Sequence, residues 1–401
     1  MLLAIIPSVL ILGLLLVILL MMLNLTVSVG TINGLIFYAN IIRAQHATFF
    51  TPDISNSFLS KFIAWLNLDQ GIESCLYDGL DTYTSTWFQF LFPLYIWFIA
   101  AALIVFSHYS TCVSKLSGKY AVPVLATLFL ITFTKVLRVI IDVISFTKLI
   151  YPDGYEKIVW LVDGNVDFLS EKHIPLFLVT ILFVLLSLPY TFSLLTIQFL
   201  YKVSHYHCMF WVQRLKPFFD AYTGPYRPHH RYWTGLLLVA RIVLLVTFSV
   251  NQSNNTSINL FATIVVSFAL IGWFAFSKWV YESPVNNFLE IVFLCNLGTT
   301  STAVLFNDIQ NKKHNSVAVY ISTSTTFILF VGIILYHAQK QLLLTKLGSK
   351  LEKEFKIFAL KLKNSGDSNK VRQIQSNSQS NVSCTIVELK EPLLEDELEL
   401  H

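Results

Sequence analysis

Five ionisable residues, Lys135, Arg138, Asp142, Arg241 and Glu290, fall inside long apolar stretches of the chain. A charge at the centre of a lipid-embedded helix costs about 2.5 kcal/mol or more, so each must find a partner, a carbonyl group or water. Arg241 stands in the middle of LLLVARIVLLV. It reads either as a fixed positive charge lining a ligand or ion path, or as a packing residue held by an acid or by backbone carbonyls, and the packing reading is preferred. Asp142 and Glu290 are the acids available to it. Arg138 and Asp142 are four residues apart, the spacing of a pair within one helix. Lys135 has a stem long enough to snorkel. Lys135 and Arg138 alone fall short of the arginine ladder of a voltage sensor, and no TVGYG-type filter is present.

A second set of chemical groups lies in the longest polar passage of the second half, YKVSHYHCMFWVQRLKPFFDAYTGPYRPHHRYW, residues 201–233. His205, His207, Cys208, His229 and His230 match no standard zinc spacing, so no metal is expected. Pro217, Gly224, Pro225 and Pro228 predict an ordered turn pressed to the membrane surface. Its Arg214, Lys216, Arg227 and Arg231 suit anionic lipid head groups or, more plainly, a positive anchor beside the membrane. Asp163-Gly164-Asn165-Val166-Asp167 opens like a calcium loop. Phe168 stands where such a loop needs glycine and Ile174 where it needs glutamate, so a solvated acidic turn is expected. There is no HExxH, GxSxG, P-loop or GxGxxG motif, and neither enzymatic activity, a cofactor nor a nucleic-acid partner is expected.

The elements that must carry these residues follow from composition. Hydrophobic residues make up 55% of the 401, charged residues only 13%, and mean hydropathy is +0.62, outside the soluble globular range. Continuous apolar runs of about 20 residues predict an all-α polytopic membrane protein. Spans are expected at about 2–24, 87–108, 120–145, 174–198, 233–250, 259–277, 285–305 and 315–337, eight in all. A ninth arises if 26–44 crosses; otherwise that segment is an interfacial continuation. Pro189 predicts a kink in the fourth span. The last four spans have short connectors and should be antiparallel neighbours.

Orientation follows from loop charge. Fifteen Lys and Arg lie in the linker 109–119, the passage 201–233, the linker 278–284 and the tail to Lys363, against seven in the alternate loops. The C-terminus is therefore expected in the cytoplasm, with the acidic loops outside a plasma membrane. Sequons at Asn251, Asn254 and Asn255 suit an outer loop. The multi-span domain is expected over 1–337. A basic amphipathic helix follows at 338–364, read as a membrane-surface helix, a calmodulin-type target or a short coiled coil, in that order. A disordered polar and acidic tail, 365–401, completes the chain and suits a cytoplasmic protein partner.

Several phrases go further: LNLTVSVGTINGLIFYANII (23–42), IAWLNLDQGIESCLYDGLDTY (63–83), FPLYIWF (92–98), VPVLATLFL (122–130), DGNVDF (163–168) and LKPFFDAYTGPYRPHHRYWTGLLLVAR (215–241). They resemble the C-terminal multi-span membrane module of large invertebrate, notably sponge, cell-surface proteins. The resemblance runs over roughly residues 20–250. It implies a membrane module of a receptor or adhesion-like protein, with a cysteine-rich ectodomain usually preceding the first span. Here Met1 opens directly on the apolar run, so the likeness is to the membrane half alone. The alternative expectation is a channel or transporter whose path involves Arg241, Arg138, Asp142 and Glu290.

Overall fold

The computed structural model describes residues 2–45, 49, 58–68, 81–110, 121–150, 155–200, 210–250, 256–309 and 317–343. It divides into two units, 1–339 and 340–401, and only 340–343 of the second are described. The helices are α1 (Leu2–Leu23), α2 (Asn33–Ala44), α3 (Phe58–Leu66), α4 (Thr82–Tyr109), α5 (Ala121–Ile144), α6 (Ile174–Leu195), α7 (Phe210–Thr223), α8 (Trp233–Val250), α9 (Thr256–Phe276), α10 (Pro284–Ile309) and α11 (Val317–Leu343). Seven of them, α4, α5, α6, α8, α9, α10 and α11, are long and apolar enough to cross a membrane. α1 has 22 uncharged residues, a length of about 33 Å against a hydrocarbon core of about 30 Å. It stands where the sequence predicts the first of eight spans.

The spans run alternately between two ends of the bundle. At the end flanked by the basic loops, Val27 N–H donates to Thr127 Oγ1 in the first turns of α5 (2.9 Å), and Asn286 of α10 donates to Val29 O (2.7 Å). Thr31 meets His337 of α11 there (2.9 Å). At the opposite, acidic end, Ser145 after α5 lies 3.5 Å from Ser249 of α8. Leucine and phenylalanine side chains of α4, α6 and α9, such as Phe98, Leu185 and Phe268, point outward, as helices facing acyl chains require. α5 and α8 are the more enclosed spans. α6 and α8 approach closely at Gly235, where a Cβ would lie 2.5 Å from Leu195 N and 2.7 Å from Leu194 C. No side chain fits there, so the small residue sets the crossing.

Segment 26–44 is neither an interfacial continuation nor a lipid-facing span. Its helix α2 has 12 residues, about 18 Å, and ten of them are buried. It begins beside α10 at the basic end and runs toward the acidic end, where Gln45 Nε2 donates to Asn259 O (3.1 Å) and Thr263 Oγ1 (2.9 Å) of α9. α3, α5, α8 and α10 pack against it. A helix sheathed in protein can be short and carry Asn33 and Asn40, because it never meets lipid.

Two other expectations change. Where an acidic loop is expected after the third span, strands β1 (Phe146–Ile150) and β2 (Glu156–Trp160) pair antiparallel, with Phe146 opposite Trp160. The turn expected at 217–228 starts only at Gly224, because α7 continues through Pro217 to Thr223. α7 is held by the inner face of its last turn, where Tyr222 O–H donates to Ala126 O (2.7 Å) and Phe218 meets Phe129 edge-on. α6 is continuous across Pro189, the position of the expected kink. α11 extends past residue 337 to Leu343. The sequons at 251–255 and the tail from 344, with most of its amphipathic segment, lie outside the described residues.

Candidate functional site

The interior holds two polar regions, joined by α2. The first lies at the basic end. The loop after α7 doubles back on the α9–α10 connection, with Arg227 N–H donating to Val280 O (3.0 Å) and Glu282 N–H to Pro225 O (3.2 Å). This pairing sets Tyr226 against Tyr281, ring centroids 4.7 Å apart. Tyr281 O–H donates to Glu290 Oε2 (3.0 Å), and Trp233 Nε1–H donates to Glu290 Oε1 (3.2 Å). Tyr281 has one proton and it is committed, so the 3.4 Å contact between the two phenols must carry the Tyr226 proton. Tyr226 in turn accepts from Asn33 Nδ2 (2.9 Å) and Thr234 Oγ1 (3.0 Å). A relay of bonds thus runs from α2 and α8 through two tyrosines to the carboxyl group of α10. Burial, and then the neighbouring Glu290, push the Tyr226 and Tyr281 phenols well above their ordinary pKa, so both remain donors. Gly34 lets α2 approach: a Cβ there would lie 2.7 Å from Glu290 Oε2 and 3.2 Å from Glu290 Cα.

The second region is a cavity of about 250 Å³ toward the acidic end. α2 contributes Asn40 and Arg43, α4 contributes Gln89, and α5 contributes Thr134, Lys135, Arg138 and Asp142. Asn67, beyond α3, and Val162, beyond β2, also line it. Arg138 Nε lies 4.0 Å from Asp142 Oδ2, the helical pair expected from the spacing, and Arg138 is half exposed. The Lys135 ammonium donates to Leu68 O (3.4 Å) and lies 5.8 Å from the centre of the Phe92 ring. Trp160 of the hairpin donates to Asp142 O (2.8 Å), fastening the hairpin to the end of α5. Beside it His173 is enclosed by Trp160, Phe168 and Phe177, and burial lowers its pKa.

Arg241 sits between these regions and is fully buried. Its Nη1 donates to Leu130 O (3.4 Å), and its guanidinium carbon lies 5.5 Å from the centre of the Phe37 ring. No acid lies within ion-pair distance of Arg241 among the described residues, and its Nε and Nη2 are buried there without a hydrogen-bond partner. The five intramembrane charges are therefore not one constellation. Lys135, Arg138 and Asp142 share the cavity, Glu290 belongs to the tyrosine relay, and Arg241 stands apart from both.

Of the basic residues at the surface, Lys216 is exposed, while Arg227 is occupied with Lys278 O (3.2 Å). Arg231 is half-buried. The side chain of Arg214 lies outside the described residues. In the acidic turn Asp163 accepts from Asn165 N–H (3.0 Å) and Asp167 pairs with Lys157. No cluster of metal-ligating side chains occurs among the described residues.

Sequence reasoning missed the tyrosine relay and the α2 side of the cavity. A signal was present: Asn33 and Asn40 are seven residues apart in an apolar helix, and Arg43 follows at three, so all three share a face.

Fold and site together define a polytopic helical membrane protein with a polar interior. No protein-family model, curated protein or solved structure matches the chain.

Proposed function

We propose that this chain is the membrane module of a non-enzymatic, receptor-type surface protein, in which α2 couples a polar pocket near one face to a polar relay near the other. The observation that carries this reading is the composition of α2 itself. Asn33 joins the relay, Phe37 lies against Arg241, and Asn40 and Arg43 line the cavity. A rigid helix in contact with both regions moves them together, as coupling between separate sites requires. Loop charge supports a cytoplasmic C-terminus and an outward-facing cavity, and the sequence resemblance to surface-protein modules supports the plasma membrane.

The test is ion flux through the purified protein in liposomes, compared with an Arg241→Gln variant reconstituted equally. A receptor module passes none of the common ions in either form. The second reading, a transporter, is favoured by the cavity, since charged pockets inside bundles mark substrate paths. Flux that depends on Arg241 would establish that reading and overturn the first. An epitope tag at the C-terminus, accessible only after permeabilisation of intact cells, checks the orientation.

A further inference from the structure

We propose that α3 is a re-entrant helix and that the cavity it borders is a water-filled vestibule, which carries water and small hydrophilic solutes from the acidic face to the middle of the bilayer. The inference rests on depth and polarity, and it holds for a receptor and a transporter alike.

The C-terminal end of α3 stops half-way through the bundle. Trp65 meets Phe330 edge-on at 6.0 Å. Asn67 Nδ2 donates to Ala39 O (2.9 Å), and Leu68 O accepts from Lys135 (3.4 Å). Phe330 and Lys135 stand near the middle of the spans α11 and α5, and Ala39 near the middle of α2. Three neighbours thus put the end of α3 at one depth. Asp81, which precedes α4, is back at the acidic end, because α4 runs antiparallel to α5: Phe92 lies beside Lys135 and Trp97 Nε1–H donates to Thr132 Oγ1 (3.0 Å). α2 also finishes toward that end, at Gln45. Between Gln45 and Asp81 the chain therefore dips to mid-depth and leaves by the face through which it entered.

Backbone that leaves a helix in the middle of a bilayer is tolerated only inside protein or against water, and α3 has a side of each kind. Trp65, Leu66 and Leu68 border an apolar space of about 80 Å³. Asn67 borders the cavity of about 250 Å³. Of the described residues that line this cavity, eight are polar or charged and only Ala44, Val139 and Val162 are apolar. Cavities that stay dry are apolar; a polar one fills, and this volume is far above the roughly 15 Å³ that a single water needs. Accessible side chains lead inward from the acidic end: Arg138 is exposed, and Gln89 and Lys135 are only half-buried. Lys135 is level with the end of α3, so water that reaches it has come half-way across.

The experiment is reaction of cysteine variants of the full chain with a membrane-impermeant, positively charged thiosulfonate, read by intact mass as label added beyond that of the parent. In lipid nanodiscs Lys135→Cys and Gln89→Cys should react at least a hundredfold faster than Leu185→Cys, whose position points outward from the middle of α6. On intact cells, Lys135→Cys, Gln89→Cys and Asp81→Cys should all react from the same side as Glu171→Cys, an exposed position at the acidic end. The vestibule is overturned if Lys135→Cys and Gln89→Cys, in protein that unfolds as cooperatively as the parent, are as slow as Leu185→Cys. The re-entrant course is overturned if Asp81→Cys and Glu171→Cys react from opposite sides.

Discussion

The two polar regions of the bundle differ in how completely they are filled. At the basic end, Glu290, Tyr281, Tyr226, Trp233 and Thr234 are all buried and bond to one another at 3.0–3.4 Å. Toward the acidic end, Arg43, Lys135, Arg138 and Asp142 surround open volume, and Asn40 and Thr134 each keep an unpartnered atom. Asn33 Oδ1, at the edge of the first network, is likewise without a partner among the described residues, so what separates the two regions is the open volume beside the second. The charged residues alone do not reveal this difference, because each region contains acid and both lie within apolar sequence.

The sharpest way to break the closed region is Gly34→Ala. The added methyl meets Glu290 at 2.7 Å and its backbone at 3.2 Å, and overpacking of this kind costs about 3 kcal/mol at the upper end of its usual range. A large fall in thermal stability and surface level is expected. Tyr281→Phe removes one hydroxyl, which strips Glu290 of a donor and Tyr226 of its acceptor. A loss of about 2 kcal/mol should follow, read by denaturation in nanodiscs.

Acid separates the two ends by another route. The folded-state pKa of His173 lies below its ordinary value of 6.5 because the ring is buried. Between those values the unfolded chain binds a proton that the folded chain refuses. Stability is therefore intact above about pH 6.5 and falls as pH drops through the folded pKa. His173→Phe should flatten that dependence. The raised phenols of Tyr226 and Tyr281 stay protonated over the same range and contribute nothing to it.

The smallest effects belong to the open region. Thr134→Val removes a buried hydroxyl without a partner and should leave stability within about 0.5 kcal/mol, or raise it. Arg138→Gln breaks a solvent-exposed helical pair of similarly small worth, about 0.5 kcal/mol. If Thr134→Val were as damaging as Tyr281→Phe, the contrast between a filled and an open region would collapse.

Much of this molecule is readable from residue order, because lipid imposes a one-dimensional rule: a span must be about 20 apolar residues with every backbone group bonded internally. Seven of the eight expected spans meet that rule, and α1 has the length for the eighth. The Arg138–Asp142 pair was legible for a similar reason, being a contact four residues apart on one helix. Segment 26–44 escaped the rule because α2 is buried in protein, where neither length nor apolarity is enforced. Pro217 was misread as a breaker because α7 is held by tertiary contacts of Tyr222 and Phe218, which override local preference.

Residue order alone therefore determined the class of protein, the positions of its spans and the asymmetry of charge between its two faces. Only the tertiary structure decided which polar groups share a space. Asn33 meets Tyr226 across 193 positions and Arg241 meets Leu130 across 111. Contacts of that range arise from how helices pack, and helix packing leaves no periodic trace in sequence from which partners can be named.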